Sequence, residues 1–99
     1  MIDLLSKIYV DLNEHVIRKV PHDKEILSTR IIKEHTKICE YCFNIKSSNK
    51  DKNYMLEFKV SIKYMLFILN YFISKKIINN DVYKIIEKEY KDLYYIINP

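Results

Sequence analysis

The chain has 99 residues, only two prolines, no glycine and a formal net charge of +4. That length suits one domain, residues 1–99, with a single core near the lower end of independent stability. The lack of glycine excludes the tight turns that reverse strands and the loops that cradle phosphate, and it leaves long helices.

The opening segment MIDLLSKIYV has an early Asp3 and no apolar stretch ending in small residues, so no signal peptide is expected. Leu5, Ile8, Leu12 and Val16 then recur at three- and four-residue steps, which predicts a first helix over Ile2 to Lys19. Pro21 stops it, because its ring removes a backbone donor and drives Val20 out of helical geometry. A second helix starts near Pro21 or His22, with Asp23 and Glu25 placed against its positive end, and continues through Leu27, Ile31, Ile38, Cys42 and Ile45. The polar stretch KSSNKDKN, Lys46 to Asn53, ends it.

Ser48 and Asp51 form a weak capping pattern for a third helix through Leu56, Lys59, Ile62, Leu66, Leu69 and Ile73. From Met65 to Leu69 this helix is apolar on every side, which predicts deep burial or a surface for another subunit. Its most apolar run, Tyr64 to Ile73, is about half the ~20 residues that a membrane span requires, so no membrane association and a cytoplasmic setting are expected. Asn79 or Asn80 caps a fourth helix, with Asp81 in its first turn and Val82, Ile86, Leu93 and Ile97 along one side. The connections are of the length that joins antiparallel neighbours, so the predicted fold is all-α, an antiparallel up-and-down four-helix bundle.

His35, Cys39 and Cys42 fall on one face of the second helix and could offer three ligands to a metal. Zinc sites draw four ligands from two segments, however, and there is no second cysteine pair, so the cysteines read as apolar core fillers and no metal or cofactor is expected. His15, His22 and His35 lack a partnered nucleophile or acidic orienter, and Glu87 and Glu89 point to different sides of a helix. No enzymatic activity is expected.

The basic charge permits contact with nucleic acid without establishing it. All basic residues but Arg18 and Arg30 are lysine, a bias that an AT-rich genome produces unaided. The distribution is more informative. Arg30, Lys33 and Lys37 share one face of the second helix, Lys52, Lys59 and Lys63 one face of the third, and Lys84, Lys88 and Lys91 one face of the fourth. Glu87, Glu89 and Asp92 dilute the last stripe. The predicted nucleic-acid-binding residues are therefore Arg30, Lys33, Lys37, Lys59 and Lys63, with Tyr41, Tyr54 and Tyr64 as possible stacking platforms.

The order helix, RKVPHDKE, long helix, polar loop, long helix, KKIINNDVYKIIEKEYKDLYYII resembles the small bacterial four-helix-bundle proteins that include the 23S rRNA intervening-sequence proteins and the accessory variability determinant (Avd) of diversity-generating retroelements. Those proteins carry an aromatic or aliphatic residue and then proline with flanking charges at the first break, as Val20, Pro21, His22 and Lys24 do here. Their last helix is entered through isoleucine, a polar cap, acidic residues and tyrosine, matched by Ile78, Asn79, Asp81 and Tyr83. The resemblance covers nearly the whole chain. It implies a non-enzymatic homo-oligomer, a pentamer-like ring of about five subunits, that offers a basic surface to RNA or DNA. In the Avd branch it further implies an accessory protein whose partner is a reverse transcriptase copying an RNA template. Two other classes fit the same residues: a helical protein interaction module with incidental charge, and a small metal-binding protein built on His35, Cys39 and Cys42.

Overall fold

In the computed structural model, which describes residues 1–48 and 52–98, the chain forms four α-helices: α1 (Ile2–His15), α2 (Glu25–Ser48), α3 (Lys52–Ser74) and α4 (Asn80–Ile97). The side chains of Ser48 and Lys52 lie outside the described set, as does the Ser48 and Asp51 capping pattern. α2 packs on α3, α3 on α4 and α4 on α1, which gives the up-and-down bundle, while α1 and α2 touch least of the neighbouring pairs. The α1/α2 seam is the open side of the bundle. No helix among the described residues is long and apolar enough to cross a membrane.

The first break is longer than the periodicity predicts. α1 ends at His15, and the chain makes one short 3-10 turn at Ile17–Lys19 and another at His22–Lys24 before α2 begins. Proline explains both turns. Val20 is driven extended (φ −74°, ψ 127°) by Pro21 after it, and Pro21 itself (φ −59°, ψ 148°) delays the next helix until Glu25.

The last connection carries a different signature. Ile77 N–H donates to Phe72 O and Lys76 N–H to Ile73 O, both at 2.9 Å, which closes α3 in a Schellman motif with Lys76 in the left-handed region at φ 60°. That position ordinarily holds glycine, and this chain has none to supply. Lys76→Gly is therefore expected to stabilise the fold by about 1 kcal/mol, read as a raised midpoint in urea unfolding. An unchanged or lowered midpoint would show that Lys76 carries no strain. Downstream, Asn79 caps α4 as the sequence predicts, its side chain accepting from Val82 N–H at 2.9 Å.

One core draws on all four helices. α1 supplies Leu5, Ile8 and Leu12, the stripe read from the sequence, and Val16 follows them inward. α3 departs from expectation. Its buried face is Phe58, Ile62, Met65, Ile68, Leu69 and Phe72, whereas Leu56 and Lys59 lie outside. Met65, Ile68 and Leu69 are consumed by the chain's own core, so the apolar circumference predicted from Met65 to Leu69 reduces outside to Phe67, which is 67% exposed. Phe67 does not stand alone. Leu56, Val60, Tyr64, Phe67 and Tyr71 are all exposed and follow one another at three- and four-residue steps. They form an apolar ridge along four turns of α3, larger than the scattered single residues usual on a soluble surface.

Candidate nucleic-acid interface

The predicted basic residues occupy two grooves, one on each side of that ridge. Arg30, Lys33 and Lys37 line the first, between α2 and α3, with Ile26, Thr29, Glu34 and Tyr64 around a cavity of about 410 Å³. Arg30 Nη1 donates to the Tyr64 hydroxyl at 2.9 Å, which ties the guanidinium to the edge of the ridge. Glu34 is buried here, and its carboxylate lies 3.9 Å from Lys37 Nζ. Among the described residues no carboxylate forms an ion pair with Arg30 or Lys33, and Glu34, which lines the same groove, lies against Lys37.

Lys59 and Lys63 face the other way, into a groove between α3 and α4 of about 270 Å³. Its floor is Ile62, Leu66 and the ring of Tyr90, and Lys91, Tyr94 and Tyr95 complete the rim. Lys59 Nζ sits 5.6 Å from the centre of the Tyr94 ring, within cation–π range. Asn98, which donates to the Tyr94 hydroxyl at 3.0 Å, and Lys59 together lower the pKa of that hydroxyl. The side chain of Lys52 lies outside the described residues. Lys91, Tyr94 and Tyr95 are absent from the residues predicted above, although their spacing of three and four on α4 marks one face, and only the folded α3/α4 pairing brings them to Lys59 and Lys63.

On α4, two of the three lysines have a carboxylate within 4 Å among the described residues. Lys88 pairs with Asp92 at 3.1 Å and Lys91 with Glu87 at 3.8 Å. Tyr64 and Phe67 stack at 6.3 Å with their planes 13° apart, so the ridge presents an aromatic pair beside the Arg30 groove. Comparison with protein-family models, with curated proteins and with solved structures finds no match.

His35, Cys39 and Cys42 are committed to the fold. His35 is 2% exposed, with Nε2 3.2 Å from Leu5 O and Nδ1 2.8 Å from the Tyr90 hydroxyl. Because a carbonyl only accepts, the neutral ring carries its proton on Nε2 and donates it to Leu5, while Tyr90 donates to Nδ1. One imidazole thus joins α1, α2 and α4. Burial pushes the Cys39 thiol up and the Cys42 thiol up to about 12, so neither offers a thiolate at neutral pH. Among the described residues no three His, Cys, Asp or Glu side chains are placed to hold a metal ion.

A second polar cluster lies between α1 and α4, with Glu89 buried and Lys7 exposed. Lys7 Nζ bridges Glu89 at 2.8 Å and Asp11 at 3.1 Å. Burial raises the Glu89 pKa against the pull of Lys7, and its Oε1 is enclosed with no hydrogen-bond partner among the described residues. The cluster fastens α1 to α4 and lies apart from both basic grooves.

Proposed function

We propose that the protein is a non-enzymatic helical bundle that binds RNA or DNA through the α2/α3 groove and acts as a self-associating unit. The observation that carries this reading is a groove that sets three cations, Arg30, Lys33 and Lys37, against the single carboxylate of Glu34, with no ion pair on Arg30 or Lys33 among the described residues. Phosphates are held by such cations. Self-association is supported by two unlike apolar surfaces, the α3 ridge and the open α1/α2 seam, where Ile2, Tyr9, Val10 and Phe43 line a cavity of about 380 Å³. A ridge that enters the seam of the next copy is a head-to-tail contact, the kind that closes into rings. A ring repeats the +4 charge of each subunit and adds weak phosphate contacts into useful affinity. The resemblance to Avd-type bundles supplies the protein partner of this reading, a reverse transcriptase.

The test reverses charge at Arg30 and Lys33, to glutamate, and compares the variant with an equal reversal at Lys84 and Lys88. The groove variant is expected to lose affinity for structured RNA and for duplex DNA alike. Its slope of log affinity against log salt should flatten by roughly 0.7 to 0.9 for each phosphate that is no longer neutralised. Stability should stay within about 0.5 kcal/mol, since all four side chains are exposed. A folded groove variant that keeps both affinity and slope would remove α2 from the binding surface.

A further inference from the structure

The α3/α4 groove differs from the α2/α3 groove in its floor. Ile62, Leu66 and the Tyr90 ring make it apolar, the Tyr90 hydroxyl being turned inward to His35, and cations stand only at the rim. Lys59 and Lys63 have no carboxylate partner among the described residues, and Lys91 has one only at 3.8 Å. The two tyrosines are unequal. Tyr94 is stacked on Phe58 at 6.2 Å with planes 8° apart and has Lys59 against its ring. Tyr95 meets Tyr94 edge-on at 6.1 Å and is 68% exposed.

We propose that this groove holds a single unpaired nucleotide, its base against the Tyr95 ring over the apolar floor and its phosphate among Lys59, Lys63 and Lys91. A space of about 270 Å³ is below the range of pockets for larger organic ligands and matches one planar ring system with its sugar. An apolar floor with cations confined to the rim selects a ligand with a flat uncharged body and an anionic end. Bases within a duplex have no free face to offer to tyrosine, so the groove selects single strands, whereas the α2/α3 cations contact any phosphate backbone. This inference rests on the nucleic-acid reading and assigns a second, strand-selective contact to it.

The experiment measures fluorescence anisotropy of a labelled oligothymidylate and of a duplex of equal length, at one salt concentration, with the wild type and with Tyr95→Ala and Tyr95→Phe. Tyr95→Ala is expected to weaken oligothymidylate binding about ten-fold or more and to leave duplex binding unchanged, while Tyr95→Phe, which keeps the stacking face, binds as the wild type. Circular dichroism confirms that the exposed substitutions leave the helices intact. Equal losses on both ligands, or no loss on the single strand, would overturn the groove assignment and leave the α2/α3 reading standing. A wild type that binds neither ligand would overturn both.

Discussion

Replacement of Tyr90 by alanine is expected to remove about 3–5 kcal/mol of stability, since it empties the largest fully buried side chain of the core and strips His35 of a hydrogen bond. A domain of this size is stable by only about 5–15 kcal/mol, so the variant should unfold at far lower urea. Tyr90→Phe separates the two losses: the ring stays, Nδ1 of His35 loses its donor, and the cost falls to about 1–3 kcal/mol. The same cluster sets an acid limit. Burial pushes the His35 pKa below its ordinary 6.5, although the Leu5 carbonyl draws it partly back. The unfolded chain takes up a proton as pH falls through 6.5 while the folded protein resists it, so the stability that neutral His35 confers is complete above that pH and is lost as pH falls toward the folded value. Glu89, with its pKa raised by burial, acts in the opposite sense, its penalty relaxing as pH falls. His35→Gln should flatten the curve between about pH 7 and pH 5. Parallel curves for wild type and His35→Gln would exclude this account.

Glutamate at both Val60 and Phe67 is expected to convert an assembled protein into a monomer of 12.1 kDa. Both side chains are more than half exposed in the isolated bundle, so their replacement leaves the core packing whole and the helices should persist. Two carboxylates in the middle of an apolar interface are costly to desolvate, and assembly should be abolished rather than weakened. Light scattering at micromolar concentration reads the mass directly. A wild type that already scatters as a monomer would leave the ridge without a partner copy and would remove the multivalency invoked for binding.

How much of this was legible in the sequence differs from helix to helix. α1 and α4 alternate apolar and charged residues clearly: Leu5, Ile8 and Leu12 are buried, and of the predicted stripe Val82, Ile86, Leu93 and Ile97 only Val82 stays half-buried, while Tyr90 and Glu89 join the buried side unpredicted. α3 has apolar residues all around its axis, so several stripes fit it equally. Phe58, Met65 and Phe72 at seven-residue steps prevailed over Leu56 because α2 and α4 close on that side, which periodicity within one helix does not contain. Buried His35 and Glu89 were opaque for a related reason. Residue type predicts a surface position for both, and only Leu5, Tyr90 and Lys7, on other helices, make burial tolerable. The basic stripes were visible one helix at a time, but the division of Arg30, Lys33 and Lys37 from Lys59 and Lys63 by an apolar ridge exists only once α3 is seated.

The three-sided commitment of α3 limits how its sequence can drift. Phe58, Met65 and Phe72 serve the core, Lys59 and Lys63 the α4 groove, and Val60, Tyr64 and Phe67 the ridge, so adjacent codons answer to different demands. Few of its positions are neutral, and a change that suits one side is judged separately by the other two. α1 divides its demands more simply, with Lys7 and Asp11 held to Glu89 of α4 and Ile2, Tyr9 and Val10 lining the seam toward α2. Divergence among descendants of this chain should thus be distributed unevenly, with α3 retaining both its bulk and its order of residues.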